Sequence, residues 1–300
     1  FFRGEMGKCR REGSRRDWIS DFIFTSLLAR HGTFFLHDDH RGKRGVVLSY
    51  PTALRSPDPG LLSSKNDSYK KDATMTHGTL IVLEGIDGSG KATQSILLEK
   101  KLKEAGKDVM HISFPDYASD SSALVKMYLK GDFGADPGDV NPYAASLFYA
   151  VDRFASYRMK WKDFYEKGGI IIADRYTTSN MVHQMTKYDD EEERTKFLSW
   201  LEKTEYEELE LPRPDLVILL DIPLGMSEAL VKARAAEGGS MDIHEQHLDY
   251  LRKCHDAYQA LVRFYGWERI PCAREGVLRS VTDIGRDVDA AVEKVMKNRK

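Results

Sequence analysis

The sequence predicts an α/β protein built on a parallel β-sheet. From about residue 78 to the end, short strand-like segments alternate with longer helical patterns, which is the arrangement of an α/β domain. A glycine-rich loop follows the first apolar segment and leads into a helical pattern. The composition, 41% hydrophobic and 31% charged, is ordinary for a globular chain.

Charge and cysteine content exclude several classes of protein. The formal net charge is −2, and no run of 18 apolar residues occurs, so we expect neither a nucleic-acid partner nor a membrane partner. The three cysteines, Cys9, Cys254 and Cys272, are far apart and odd in number. This pattern indicates neither a disulfide framework nor a zinc cluster, and we expect a reducing, cytoplasmic location.

The chain divides into two unlike regions near residue 77. Residues 1–77 hold 14 Lys and Arg against 9 Asp and Glu, whereas the remainder holds 31 against 38. The first region lacks a sustained helical or strand period and contains a turn-rich tract at 56–60. We expect residues 1–77 to be disordered or a non-native N-terminal extension, because Met75 would be a natural start; a targeting or regulatory arm is the alternative.

Five strands can be placed in residues 78–300. They are predicted at Thr79–Leu83, Asp108–Phe114, Gly169–Ala173, Leu216–Asp221 and Trp267–Pro271. The second to fourth are rich in Val and Ile, as expected of strands that are buried on both faces. Ligands bind at the carboxyl ends of such strands, so functional side chains are expected there.

Helices are predicted between the strands. The first runs from Lys91 to about Ala105 and ends at a glycine. A long helical segment from Asn141 to Lys167 begins with Asn-Pro, which suits a capping residue followed by proline at the first helical position. The last helix covers about 280–297, with apolar residues at helical spacing.

The glycine loop has the spacing of a phosphate-binding P-loop. Its sequence over 84–94 is E-G-I-D-G-S-G-K-A-T-Q, which contains G-x-x-x-x-G-K. Glycines allow the backbone N–H groups to approach an anion, and the lysine adds a full charge. The expected phosphate-binding residues are Gly85, Gly88, Ser89, Gly90, Lys91, Ala92 and Thr93. Ala92 replaces the usual Ser or Thr that binds Mg²⁺, and a purely structural glycine turn is the alternative interpretation.

Two further polar groups follow strands. The second strand ends in Phe114-Pro115-Asp116-Tyr117 and the third in Asp174-Arg175-Tyr176. Both exits lie at the edge of the sheet where the P-loop is expected. The planar fork of Arg175 suits a second phosphate, which it would hold while Lys91 holds the first. The alternative is a structural ion pair between Asp174 and Arg175.

An aromatic residue precedes an arginine by four positions in the long helix. Tyr149 and Arg153 therefore lie on one helical face, where they could stack on a flat base and hydrogen-bond its edge. Aromatic residues of a buried helix are more often part of the core, and we expect this of Phe148.

Taken in order, these motifs resemble the thymidylate kinase family. The set is E-G-I-D-G-S-G-K-A-T-Q, F-P-D-Y, F-Y-A-V-D-R, D-R-Y-T-T-S-N-M-V-H-Q and P-D-L-V-I-L-L-D-I-P, spread over about 78–300. The resemblance implies a three-layer P-loop NTPase fold with a five-stranded parallel sheet of order 2-3-1-4-5, a lid, and a homodimer. It also implies Mg²⁺-dependent transfer of the ATP γ-phosphoryl group to dTMP.

The resemblance also implies roles for single residues. Asp87 would accept the 3′-hydroxyl of the deoxyribose, Arg175 would hold the 5′-phosphate, and Asp174 would hold Mg²⁺ directly or through water. Phe114 would wall the nucleoside pocket, and Arg153 would address the thymine edge. The remaining positions are the stacking ring, either Tyr149 or Phe148, and the pocket residues Ser179 and Gln184.

The lid is expected at about 232–243, where a glycine-rich tract follows Arg234. The family supplies a transition-state cation from the P-loop or from the lid. This P-loop has no basic residue other than Lys91, so Arg234 is the expected catalytic cation alongside Lys91 and Arg175.

Two other functions remain open at this point. A kinase of the same fold could act on another monophosphate, such as dUMP, dCMP or UMP, because fold does not determine substrate. A nucleotide-binding module with little turnover is the second alternative, suggested by Ala92.

Overall fold

The computed structural model describes residues 37–38, 44–45, 77–236 and 248–298. Contacts along the chain separate two units, Phe1–Lys71 and Asp72–Lys300. In the first unit, the described residues form a short antiparallel pair, His37–Asp38 with Arg44–Gly45. The expectation that 1–77 is disordered or non-native falls mainly outside the described residues and stays a prediction.

The second unit is built on a five-stranded parallel sheet. Its strands are β1 (Thr79–Glu84), β2 (Val109–Ser113), β3 (Ile170–Asp174), β4 (Leu216–Asp221) and β5 (Glu268–Pro271). Their spatial order is β2-β3-β1-β4-β5, and every neighbouring pair is parallel. The predicted strands and the predicted order 2-3-1-4-5 are confirmed, with strand ends shifted by a residue or so.

Nine helices with α-helical hydrogen bonding occur in the described part of this unit. They are α1 (Lys91–Glu104), α2 (Ala123–Lys130), α3 (Pro142–Ser156), α4 (Lys162–Glu166), α5 (Thr177–Met185), α6 (Glu191–Glu202), α7 (Leu224–Ala236), α8 (Leu248–Tyr265) and α9 (Val281–Asn298). Two π-helical turns, Tyr157–Trp161 and Lys203–Glu208, extend α3 and α6. A small hairpin joins β6 (Ala273–Arg274) to β7 (Val277–Leu278).

The predicted start of the long helix is confirmed. Asn141 caps α3, because its Oδ1 accepts a hydrogen bond of 2.9 Å from the backbone N–H of Ala144, and Pro142 occupies the first turn. The helix then continues through the π-helical turn, where Trp161 is fully buried.

Helices cover both faces of the sheet, which gives the three predicted layers. Successive residues of β1 point to opposite faces, so Leu80 and Val82 pack into one apolar cluster and Ile81 and Leu83 into another. All four side chains are fully buried. This double-sided burial fixes the strand ends, and the carboxyl edge of the sheet therefore offers a rigid platform.

No described helix is long and apolar enough to cross a membrane.

Candidate active site

The glycine loop lies between β1 and α1, as predicted. Gly85, Gly88 and Gly90 have φ angles of 149°, 77° and 89°, which other residues rarely adopt. A Cβ atom on Gly85 would lie 2.6 Å from Ser89 Oγ and 2.7 Å from the Leu220 carbonyl oxygen. Both backbone conformation and close packing therefore require glycine here.

Lys91 is the first residue of α1, and its ammonium group is held within the loop. Nζ donates to the carbonyl oxygens of Gly85 at 2.9 Å and Ile86 at 3.1 Å, and it lies 4.0 Å from Asp87 Oδ1. Burial, with a smaller contribution from the charge of Arg175, lowers the pKa of Lys91 to about 8. The loop thus contains a desolvated cation that would gain from an anion.

Arg175 follows β3 directly and faces the same loop. Its guanidinium forms an ion pair with Asp87 and donates to Ser179 Oγ at 3.3 Å. Its φ of 67° is rare for a residue with a side chain, and its N–H donates to the Leu83 carbonyl oxygen. Burial alone would lower the pKa of Arg175, but the adjacent Asp87 raises it well above its ordinary value. Lys91 and Arg175 therefore converge on one carboxylate.

Asp174 ends β3 and lies in register with Leu83 and Ser113 of the neighbouring strands. Its charge favours the protonated forms of both Lys91 and Arg175. The guanidinium contacts Asp87, so the alternative interpretation of an ion pair between Asp174 and Arg175 is not what the structure contains. The Asp174 carboxylate lies partly exposed beside the loop.

The remaining phosphate-loop residues differ in exposure. Ser89 is buried, and its Oγ has no hydrogen-bond partner among the described residues. Ala92 and Thr93 are exposed on the first turn of α1. Arg234 lies within α7, but its side chain and most of the expected lid, 237–243, are outside the described residues.

The predicted aromatic residues lie directly after β2 and on α3. Phe114 is almost fully buried and packs against Tyr176 with ring centroids 6.0 Å apart. Phe148 and Tyr149 are both half-buried and both lie 6.4 Å from the Tyr128 ring. The two rings are therefore buried to a similar extent, so burial does not distinguish Phe148 as a core residue from Tyr149 as the stacking ring.

Arg153 is buried, with 2% of its side chain exposed. Its Nε donates to Glu205 Oε2 at 2.6 Å, and its Nη2 pairs with the other carboxylate oxygen. Burial opposes its charge, but Glu205 raises the pKa of Arg153 above its ordinary value. Sequence reasoning missed Glu205, because it lies 52 residues away in a π-helical turn.

Helix α5 carries the predicted pocket residues Ser179 and Gln184. Gln184 is fully buried, and neither its Oε1 nor its Nε2 has a hydrogen-bond partner among the described residues. The same is true of Asn180 Oδ1 and of Ser146 Oγ on α3. The Asn180 amide donates to the Ser146 carbonyl oxygen at 3.2 Å, so these two residues lie together, and sequence reasoning missed both.

Glu84, the last residue of β1, was also missed as a functional side chain. It is fully buried and accepts hydrogen bonds from Tyr258 OH at 2.7 Å, from Thr178 Oγ1 at 2.6 Å and from Ser179 Oγ at 2.7 and 2.9 Å. The signal that could have revealed it is a glutamate at the end of an otherwise apolar strand, T-L-I-V-L-E. Buried carboxylates need several donors, and this one has them from two helices.

Comparison with known proteins agrees with this arrangement. A sequence model of the family described as thymidylate kinase matches residues 83–283. A probable thymidylate kinase of Pyrococcus abyssi is 32% identical over 216 residues, which cover 72% of this chain and 96% of that protein. The thymidylate kinase of Mycobacterium tuberculosis is 27% identical over 191 residues, 63% of this chain and 87% of its own length.

A solved structure supports the same fold. The thymidylate kinase of Candida albicans superimposes with a TM-score of 0.57 at 22% sequence identity, covering 75% of this chain and 94% of that structure. Together with the sequence match, which spans the loop, both strand exits and α5, this shows that the chain belongs to the thymidylate kinase family.

Proposed function

We propose that this protein transfers the γ-phosphoryl group of ATP to dTMP, giving dTDP and ADP. The observation that carries the proposal is the convergence of Lys91 and Arg175 on the single carboxylate of Asp87, at the edge where the strands end. Two cations so close together suit two phosphate groups that must meet for transfer. The named relatives are kinases of thymidylate, which favours dTMP as the acceptor.

The donor phosphates bind the loop from Gly85 to Thr93. Backbone N–H groups and the N-terminal end of α1 attract the anion, and Lys91 would exchange its two carbonyl contacts for phosphate oxygens. Since the ammonium group is already desolvated, this exchange costs less than it would for a hydrated lysine.

The acceptor phosphate would bind the guanidinium of Arg175. In the structure this group is paired with Asp87. The incoming phosphate would displace that carboxylate and bind the guanidinium through two stronger hydrogen bonds. Asp87 would then accept a hydrogen bond from the 3′-hydroxyl of the sugar. A 2′-hydroxyl would crowd the same carboxylate, which favours deoxynucleotides.

The base lies between the aromatic residues and α5. Phe114, with Phe148 or Tyr149, provides apolar walls, while Arg153, Ser179 and Gln184 provide polar contacts. The unpartnered amide of Gln184 supports this assignment, because a buried amide without hydrogen bonds costs about 1–3 kcal/mol. A pyrimidine edge with alternating acceptors and donors would satisfy it.

The chemical step needs charge neutralisation more than a general base. The second pKa of a phosphate monoester is about 6, so the acceptor oxygen is already nucleophilic at pH 7. A bond forms between that oxygen and the γ-phosphorus while the bond to the β-phosphate oxygen breaks and ADP leaves. Lys91, Arg175 and Arg234 would share the charge that develops.

Mg²⁺ is part of the proposal, and the residues fit it. Among the described residues, no three His, Cys, Asp or Glu side chains converge to form a metal site. Such a group is not required, because Mg²⁺ usually binds one or two carboxylates together with phosphates and water. Asp174, which lies beside the loop and close enough to influence Lys91, would supply that oxygen in place of the hydroxyl that Ala92 lacks. The ion would neutralise charge on the transferred phosphates.

A homodimer is also proposed. Leu147, Val151 and Phe154 form an exposed apolar stripe along α3, and Leu124 and Met127 of α2 are exposed as well. Such a surface on adjacent helices suits a self-complementary interface.

A cytoplasmic location is also proposed. The described thiols, Cys254 and Cys272, form no disulfide, as expected in a reducing compartment.

The test is ADP formation by the full chain with ATP and Mg²⁺ over a panel of dTMP, dUMP, dCMP and UMP. We expect dTMP to give the highest kcat/KM. Faster turnover of another monophosphate would replace the proposed acceptor, and ATP binding without ADP formation above the buffer rate would favour a binding module instead.

A further inference from the structure

The first turn of α5 divides its side chains between two buried carboxylates. Glu84 accepts from Thr178 and Ser179, whereas Glu205 accepts from Thr177 at 2.6 Å and from Asn180 at 3.4 Å. Both carboxylates are 0% exposed. Four consecutive residues of one helical turn thus point to two separate anions, one at the end of β1 and one in the π-helical turn after α6.

The Glu84 side of this arrangement supports Arg175. Ser179 Oγ donates to Glu84 and accepts from the Arg175 guanidinium, and the N–H of Tyr176, the next residue, donates to Glu84 Oε1 at 3.3 Å. Arg175 has the rare φ of 67°, a conformation that persists only where its surroundings hold it. Tyr258 of α8 completes the set with its hydroxyl on Glu84 Oε2.

The Glu205 side supports Arg153. The Glu205 carboxylate binds two nitrogen atoms of the Arg153 guanidinium and accepts a hydrogen bond from Thr177 Oγ1. The direction of the guanidinium is therefore determined by Glu205, not by the helix that carries the arginine. A long, flexible side chain needs such a partner to present one geometry to a ligand.

Stability alone gives little reason for this arrangement. Burying a carboxylate is costly even when it is fully hydrogen-bonded, and apolar residues of similar volume often stabilise a fold as well or better. Both anions support an arginine of the acceptor site, which is what a positioning function requires.

We propose that Glu84 and Glu205 are positioning residues that divide acceptor recognition between them, Glu84 fixing Arg175 for the phosphate and Glu205 fixing Arg153 for the base. This inference rests on the proposed function, because it assigns the two arginines to parts of one mononucleotide.

Adjacent threonines provide a matched pair of variants. Thr177→Val and Thr178→Val each replace a buried hydroxyl by a methyl group of similar shape, and each removes one hydrogen bond of 2.6 Å to a different carboxylate. The probes are dTMP and 2-deoxyribose 5-phosphate, which has the phosphate and sugar but no base. The quantities to compare are KM for dTMP, KM for ATP and the inhibition constant of the sugar phosphate.

The two variants should separate the two parts of the acceptor. Thr178→Val is expected to weaken the binding of dTMP and of 2-deoxyribose 5-phosphate alike, by about tenfold, because it removes a hydrogen bond from the carboxylate that supports Arg175. Thr177→Val is expected to raise KM for dTMP by a similar factor and to leave the sugar phosphate within twofold. KM for ATP should stay within twofold in both.

Two tyrosines of α8 give a second test. Tyr258→Phe removes the hydroxyl that bonds Glu84 and should reproduce the pattern of Thr178→Val. Tyr250→Phe is its control, because the hydroxyl of this half-buried residue donates to the His183 carbonyl oxygen instead, and KM for dTMP should stay within twofold.

The outcomes separate the two claims. A wild-type chain without turnover on dTMP refutes the proposed function, whereas the positioning claim can still be tested by calorimetric binding of the same two probes. Equal changes in dTMP and sugar-phosphate affinity in both threonine variants, or no change beyond twofold in either, would overturn the positioning claim. If Thr178→Val fails to fold, the two tyrosine variants test the role of Glu84. If Thr177→Val fails to fold, Asn180→Ala tests the role of Glu205, with the affinities of the same two probes as the measurement.

Discussion

The two halves of the site are built by different means. The donor half is a contiguous loop, 85–93, whose groups are backbone amides, glycines and one lysine. The acceptor half combines Asp87 of that loop and Arg175, which follows β3, with side chains of β1, α3, α5, α8 and the turn after α6, connected through Glu84 and Glu205. Local backbone geometry supports the first half, while long-range hydrogen bonds support the second. Substitutions should therefore affect the two halves separately.

The largest effect is expected on the donor side. Lys91→Ala should lower kcat by about a thousandfold or more, because it removes the only side-chain cation of the loop from the transferring phosphates. Steady-state kinetics measure this, with Lys100→Ala as the control, since Lys100 is exposed on the same helix. If the variant kept a tenth or more of the wild-type rate, the loop would not be the catalytic donor site.

A smaller effect is expected on the acceptor side. Arg175→Lys keeps the charge but loses the planar fork, and we expect kcat/KM for dTMP to fall about a hundredfold. KM for ATP should change little, because the variant keeps a positive charge beside Asp87 and Lys91 of the donor loop. Arg213→Lys, at an exposed arginine, is the control. A parallel loss of ATP affinity would mean that the halves are not independent.

The pH dependence should also come from the donor side. The pKa of Lys91 is lowered to about 8, so its charge is present below pH 8 and is lost above it. We expect kcat/KM for ATP to fall by about tenfold per pH unit above that value. Between about pH 8 and 10.5 only the unfolded chain holds this proton, so the same group makes the unfolding free energy rise with pH.

The control for this profile is Lys187→Met. Burial lowers the pKa of Lys187 to about 8 as well, but its ammonium bonds Tyr128 OH and the Val140 carbonyl oxygen, away from the loop. The pH profile of kcat/KM for ATP should be unchanged in this variant. If the fall above pH 8 disappeared, the titrating group would be Lys187 and not Lys91.

The smallest effect is expected at the metal. Ala92→Ser restores the hydroxyl of the usual motif on an exposed first turn, so the Mg²⁺ concentration for half-maximal rate should fall by about two- to fivefold. A titration of the rate with Mg²⁺ measures it, with Thr93→Ser as a neighbouring control. An unchanged midpoint would indicate that Asp174 and the phosphates already suffice.

The same contrast explains what the sequence could predict. The sheet order followed from the family resemblance, while the strand positions, the glycine loop and the start of α3 follow from local patterns of apolar residues, glycine and Asn-Pro, and all of these agree with the structure. The convergence of Lys91 and Arg175 follows from strand exits that share one edge of the sheet.

The supporting residues could not be predicted from local patterns. Glu205 binds Arg153 across 52 residues, and Tyr258 binds Glu84 across 174. No periodicity or motif marks such pairs, and the buried state of Arg153 follows from a partner that only the fold brings close. Asn180 was overlooked for a related reason, because its position beside Ser146 depends on how α5 packs on α3.

Binding of a bisubstrate ligand, adenosine and thymidine joined through five phosphates, to the full chain measures whether the two cations hold adjacent phosphate groups. If Lys91 and Arg175 bind two phosphate groups side by side, this ligand should bind at least about a hundredfold more tightly than ATP, and Arg175→Ala should remove most of that gain. Binding no tighter than that of ATP, or an affinity unaffected by Arg175→Ala, would mean that Lys91 and Arg175 do not hold two phosphate groups side by side.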